Sequence, residues 1–268
     1  MSTSKLGKSP TYDDFGSVDP YKRSAESGGK VAFRPLSSDV TLDTPIFRYI
    51  KLEHLFTLLQ SKKLYIPNRK TFTDLRDKVG IEKFIPTEKM PWEIKLVPSY
   101  RNKRYLVEQD KIKEMALDLC ISCWSMDLDD NHNAEERFLM WKAYGSTQLC
   151  CRIRTTIRKL IENVIVPYDI IVSDVSYDSN RKADMVDRLI FNKSAYYRDE
   201  QEVRLVVMKT GLPCVEADII QIVDFIDEIK LSPFLIPALE DSLSSSLRSK
   251  FKAFADKIVL SKVMEYPL

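Results

Sequence analysis

The sequence predicts a single α+β domain of mixed and antiparallel twisted sheets flanked by helices. Three observations carry that reading. Short β-branched and aromatic runs are interleaved with segments of helical spacing, and no internal repeat is present. Only seven glycines occur and none forms a G-x-G-x-x-G turn, which argues against a Rossmann dinucleotide fold. Apolar residues make up 44% of 268 positions, enough for a sizeable core and too many for a disordered chain.

Residues 1 to about 44 are rich in Ser, Gly, Pro, Asp and Lys without a sustained period, so they are expected to form a flexible tail. A short docked piece around Val31–Leu36 is the exception. The domain is expected over residues 45–268. Phe47–Ile50 reads as a strand, since β-branched and aromatic side chains favour a pleated surface. Leu52, Leu55, Phe56 and Leu59 then mark a helix, and Lys63–Ile66 a strand stopped by Pro67. Asn68 to Pro98 holds several prolines and reads as a long excursion. Tyr105, Leu106, Ile112, Met115, Ala116 and Leu119 share a helix face that leads into a strand at Leu119–Ser125. Glu135–Tyr144 reads as a short helix broken at Gly145.

The second half continues with strands at Leu149–Arg154 and Ile170–Tyr177, separated by a helix at Thr155–Glu162. A helix at Lys182–Tyr196 precedes a strand at Glu202–Met208. Ile226–Leu231 is a strand closed by Ser232-Pro233. Leu235, Leu239, Leu243, Leu247 and Phe251 recur at every fourth position, which predicts a core-facing stripe on a long C-terminal helix. Ile258–Leu260 is the closing strand.

Charge is balanced, with 41 basic against 39 acidic residues, so a strong positive field over the whole molecule is excluded. A local basic patch stays open: Lys95, Arg101, Lys103 and Arg104 lie beside Trp92 and Tyr100 on the excursion, as a nucleic-acid binder would use. No apolar run approaches the roughly 20 residues that span a bilayer, and the N-terminus lacks the apolar stretch of a secretory signal. Five cysteines, an odd number, fit a reducing compartment. A cytoplasmic protein without membrane contact is expected.

Two histidines leave little room for metal or triad chemistry, and no metal is expected. His54 falls in the first helix, and His132 in a polar loop without calcium-loop spacing. Cys120 and Cys123 have C-x-x-C spacing but, in an extended strand, face opposite ways as small hydrophobes. Cys150 and Cys151 do the same.

The most informative segment runs from Tyr196 to Arg204. Glu200, Glu202 and Arg204 alternate, so in extended chain all three share one face. Carboxylates entering an apolar strand are costly unless paired or set in a cleft. Two held close are what general-base or cation-stabilising chemistry requires, since their repulsion shifts one pKa. The alternative is an edge strand with a solvated charged face and a structural Glu–Arg pair. Trp141 and Tyr144, three apart, share a helix face, where an aromatic pair serves as core or as a cofactor platform.

These segments, in order, resemble the domain-of-unknown-function 2971 family. The likeness rests on Phe47-Arg48-Tyr49, Leu64-Tyr65-Ile66-Pro67, Phe72-Thr73-Asp74, Cys120-Ile121-Ser122, Met140-Trp141-Lys142-Ala143-Tyr144-Gly145, Tyr177, Glu200-Gln201-Glu202-Val203-Arg204 and Ile229-Lys230-Leu231-Ser232-Pro233. It departs at Thr73-Asp74-Leu75, where the family's usual Asn-Asp-Pro would fix a φ angle, and at Tyr196 or Tyr197 in place of a Trp before the E-x-E. The opening strand–helix–strand and the E-x-E are also similar to ADP-ribosyltransferase domains.

That second resemblance implies an ADP-ribosyltransferase-like fold with NAD as substrate. Glu202 and Glu200 would be catalytic; Arg48 and Tyr49 would hold the dinucleotide, with Ser122 or Ser125 in support and Trp141 and Tyr144 lining the site. It further implies an effector of toxin or phage-defence type, with a protein or nucleic-acid acceptor. Two readings compete with it: a nucleic-acid-binding or nucleic-acid-processing protein, and a non-catalytic interaction module in which Glu200–Arg204 is structural.

Overall fold

The computed structural model describes residues 20–21, 29–72, 111, 113–126, 138–145, 149–178 and 185–261. In chain order its elements are β1 (Pro20–Tyr21), β2 (Val31–Phe33), β3 (Pro45–Lys51), α1 (Leu52–Ser61), β4 (Lys63–Pro67), β5 (Cys120–Met126), α2 (Phe138–Gly145), β6 (Cys150–Thr156), α3 (Ile157–Asn163) and β7 (Val164–Ile165). Then follow β8 (Ile170–Asp174), α4 (Met185–Phe191), β9 (Glu202–Val207), β10 (Cys214–Ile219), α5 (Ile222–Phe225), β11 (Glu228–Leu231), α6 (Pro237–Lys250) and β12 (Ile258–Leu260). A large sheet runs β1-β2-β8-β9-β5-β3-β6-β11-β12, and a small one runs β4-β10-β7. The large sheet is mixed: β2 on β8 and β11 on β12 are parallel, while β3, β5, β6 and β9 pair antiparallel. The expected mixed α/β architecture is therefore present.

The predicted opening unit forms for the reasons read from it. In α1, Leu52, Leu55, Leu58 and Leu59 are buried along one stripe, and Lys62 closes the helix in left-handed geometry with its N–H on the Leu58 carbonyl. Strand β9 is buried at every residue, as is β8 beside it, because both lie in the middle of the sheet with apolar layers on either side. The edge-strand alternative for the E-x-E segment is thereby excluded.

Three expectations need correction. The docked piece expected around Val31–Leu36 is present, with Val31–Phe33 paired to Ile170–Val172 and Val31 and Ala32 buried, but the fold extends further than expected, over residues 29–44, with Val40 and Thr44 buried as well. Two distant carboxylates fasten this segment, with Asp169 accepting from the Lys30 N–H at 2.8 Å and Asp174 from the Leu36 and Ser37 N–H groups at 2.5 and 3.1 Å. The helix expected at Lys182–Tyr196 stops at Phe191; Asn192 bridges to Ser176, and a 3-10 turn covers Ala195–Glu200. The C-terminal stripe is only partly core-facing. Leu247 is 1% exposed but Leu239 is 37% exposed. Leu235, Leu243 and Phe251 are partly buried and pack against the core, so Leu239 is the exception among the five.

Gly29 makes the N-terminal docking sensitive to a single methyl group. A Cβ there would lie 2.0 Å from the Tyr168 carbonyl oxygen, and backbone cannot yield as a side chain would. Gly29→Ala is expected to destabilise the protein by about 1–3 kcal/mol. Thermal unfolding checks this, and an unchanged melting temperature would count against docking of residues 29–37 on the sheet.

Candidate active site

The site lies where the large sheet parts. Among the described residues, β3 and β5 pair only at Ile46–Met126 and Phe47–Ser125, then separate. Arg48 follows at that fork. Its guanidinium reaches the Tyr65 carbonyl of β4 at 3.4 and 3.5 Å and stands 5.8 Å from the Trp124 ring centre. A cleft of about 430 Å³ opens at the fork, within the size range of small-molecule sites. It is lined by Phe47, Arg48 and Tyr49 of β3, by Cys123, Trp124 and Ser125 of β5, and by Lys193, Glu200 and Glu202.

Local structure explains how each group arrives there. Ser125 is the direct cross-strand partner of Glu202, the first residue of β9. Gln201 adopts left-handed geometry with φ 40°, which breaks the chain between Glu200 and Glu202. Glu200 therefore ends the 3-10 turn, and only Glu202 and Arg204 alternate on a strand as expected for all three. The two carboxylates still meet, through an unforeseen residue. The Lys193 ammonium lies 2.7 Å from Glu200 Oε2 and 3.3 Å from Glu202 Oε2.

Behind Glu202 stands Arg204, with no exposed surface. Its Nε and Nη2 donate to the two carboxylate oxygens at 2.8 and 3.1 Å, and its Nη1 donates to the Ile190 carbonyl at 2.5 Å. The Glu202 N–H donates to the Tyr177 hydroxyl at 2.9 Å, and the Glu202 carbonyl accepts from the Val175 N–H at 2.8 Å. Side chain and backbone of Glu202 are thus both fixed.

Mutual repulsion was expected to shift one carboxyl pKa; at Glu202 the neighbouring cations set the direction, which is downward. Burial pushes it up, but the charges of Arg204 and Lys193, with hydrogen bonds from Arg204 and Cys123, outweigh that and bring it down to about 2. Glu202 is thus ionised throughout the neutral range. Its contribution to stability is fully present above its ordinary value of 4.5 and is lost as pH falls toward about 2. Burial, then the charge of Glu200, pushes Tyr144 upward; burial is also the main cause for Tyr177. Both hydroxyls keep their protons at neutral pH. Burial lowers the Arg48 guanidinium somewhat, but arginine remains charged.

Six of the eight expected site residues line the cleft: Arg48, Tyr49, Ser125, Tyr144, Glu200 and Glu202. Ser122 does not. It is fully buried on the other side of β5 from Cys123 and Ser125, and its hydroxyl accepts from the Trp124 indole N–H at 3.0 Å. Trp141 is not a lining residue either. It is fully buried and meets Tyr49 edge-on at 4.9 Å, while Tyr144 stacks on Tyr49 at 6.1 Å. Helix α2 thus supplies one structural aromatic and one site aromatic. Lys193 and Cys123 were missed as site residues; no motif in the chain marks either.

Among the described residues, no group of three His, Cys, Asp or Glu side chains is placed to hold a metal ion. No described helix is long and apolar enough to cross a membrane. The basic residues of the excursion, Lys95, Arg101, Lys103 and Arg104, lie outside the described residues, as do His132 and the Thr73-Asp74-Leu75 departure.

No family model matches the chain, so the resemblance to the domain-of-unknown-function 2971 family gains no support, and no curated protein matches either. Two solved structures are similar. Thermus sp. 2.9 DarT in complex with ADP-ribosylated ssDNA aligns over 85% of this chain and 98% of its own, at 10% identity and a TM-score of 0.37. Thermus sp. 2.9 DarT in complex with NAD+ aligns over 83% and 98%, at 11% identity and a TM-score of 0.35. At that distance neither likeness assigns a role to any residue here.

Proposed function

We propose that the cleft binds NAD and that the protein is an NAD-dependent ADP-ribosyltransferase, an effector of toxin or phage-defence type. One observation carries this reading: Glu202, ionised and held in place by Arg204, lines a cleft that Arg48 and aromatic rings also line. A dinucleotide asks for that set. Arg48 suits the pyrophosphate, since a guanidinium forms paired, charge-assisted bonds to phosphate oxygens. Tyr49 and Tyr144 offer ring faces for stacking, and Ser125 a hydroxyl beside the carboxylate.

The chemistry follows from the charge of Glu202. The bond between ribose C1′ and the nicotinamide ring nitrogen breaks, and its electron pair neutralises the departing pyridinium. Positive charge develops on the ribose as an oxocarbenium ion, which a preorganised carboxylate stabilises. An acceptor nucleophile then bonds to C1′ and loses its proton. Glu200, at the end of its turn and less buried than Glu202, is the group placed to receive it.

The rival reading, a non-catalytic module with a structural Glu–Arg pair, draws on the paired bonds between Arg204 and Glu202. The test is nicotinamide release from NAD by purified protein, alone and with lysate protein or single-stranded oligonucleotide as acceptor. Release with labelled ADP-ribose on one acceptor is the expected result. The absence of both NAD binding and turnover under all of these conditions would overturn the proposal.

A further inference from the structure

We propose that Lys193 is the positioning residue of this site: its ammonium clamps the carboxylates of Glu200 and Glu202 to one cation and fixes their separation. The effect on turnover rests on the NAD reading; the clamp itself does not.

Glu200 and Glu202 come from different elements, the end of a 3-10 turn and the start of β9, with the left-handed Gln201 between them. Nothing in the local backbone obliges their carboxylates to converge. Lys193 does, since its Nζ is 2.7 Å from one and 3.3 Å from the other. The side chain of Lys193 is only 8% exposed, so its charge acts across a poorly screened site. Its position is fixed at both ends. The Lys193 N–H donates to the Ser176 carbonyl at 3.0 Å, and the ammonium sits over the Tyr197 ring at 4.3 Å.

Arg204 cannot substitute for it. That guanidinium holds Glu202 from behind, and its Nη1 donates to the Ile190 carbonyl. Lys193 holds Glu202 and Glu200 together at the cleft. Without it, two negative charges would face each other, and repulsion would part them or protonate one. Polar groups beside the pair include Ser125 and Cys123 on β5, Tyr144 on α2, Tyr177 after β8 and Arg48 on β3. Of these Arg48 is the cation, and its guanidinium is turned to the Tyr65 carbonyl of β4.

The test compares wild type with Lys193→Met, Lys193→Gln and Lys193→Arg. Glutamate carboxyl carbons are followed by NMR as pH falls, and Glu202→Gln identifies the Glu202 signal. Loss of the cation in Lys193→Met or Lys193→Gln is expected to raise the midpoint for Glu202 by about one pH unit. Lys193→Arg is expected to restore it. In the NAD assay the first two variants should lose at least tenfold in kcat with a smaller change in KM, and the acid limb of the rate profile should move up.

An unchanged Glu202 midpoint in a folded Lys193→Met or Lys193→Gln variant would overturn the clamp. Should neither fold, the lysine side-chain nitrogen signals of wild type decide. A slowly exchanging ammonium that Lys193→Arg removes supports the clamp, and its absence refutes it. A shifted midpoint in a protein that never turns over NAD would keep the clamp and refute the enzyme.

Discussion

Glu202→Gln is expected to lower NAD turnover by about a hundredfold or more, because it removes the charge that faces the developing cation. It should also lower stability, and the two effects must be separated. Arg204 is wholly buried and meets Glu202 through two bonds. Breaking such a pair from one side leaves a buried cation short of its partner, at a cost of about 3–5 kcal/mol. For a chain of this size that corresponds to a fall in melting temperature of about 10 °C. Replacing both members with Met removes the stranded charge and is expected to recover much of the stability. It should not recover turnover. Stability regained with activity still absent would assign Glu202 to the chemistry; wild-type turnover in the double variant would leave the pair purely structural.

Trp141→Ala is expected to cost about 3–5 kcal/mol, as truncation of a large buried aromatic does. The loss should reach the cleft through Tyr49, whose ring rests edge-on against Trp141 with an interplanar angle of 89°. Without that support Tyr49 gains rotamer freedom, and NAD should bind about tenfold more weakly. Calorimetry with NAD and a thermal melt check both arms. Trp141→Phe, which keeps an apolar ring, should sit between wild type and the Ala variant. An unchanged NAD affinity in folded Trp141→Ala would mean that Tyr49 does not depend on this contact.

The parts of the fold legible in the sequence are those whose signals are local. Strand β3, helix α1 and strand β4 each carry their own periodicity, and all three form within a residue or two of expectation. Segments fixed by distant partners were legible only in part. The apolar Val31–Leu36 stretch pointed to docking, but the rest of residues 29–44 looks too polar to fold until Asp169 and Asp174, more than a hundred positions away, accept the Lys30, Leu36 and Ser37 N–H groups.

The same division runs through the site. Glu202 and Arg204 were legible as a pair because strand alternation places them on one face. Ser122 and Ser125 could not be separated until the alternation of β5 was fixed against the cleft, which favours Ser125. Trp141 and Tyr144 lie on one short helix, yet one is fully buried and the other 51% exposed. Lys193 fell within a stretch read as uniform helix, where a lysine suggests only a solvated face.

The fork between β3 and β5 also makes the large sheet two panels joined by a seam of two residue pairs. Arg48 and Tyr49 ride on one panel, with β6, β11 and β12; Glu202 rides on the other, with β8 and β2. A ligand spanning the cleft would act as a rivet between them. Its signature would be mechanical as well as chemical: slower amide exchange at Phe47 and Ser125, and the two panels melting as one cooperative unit rather than two.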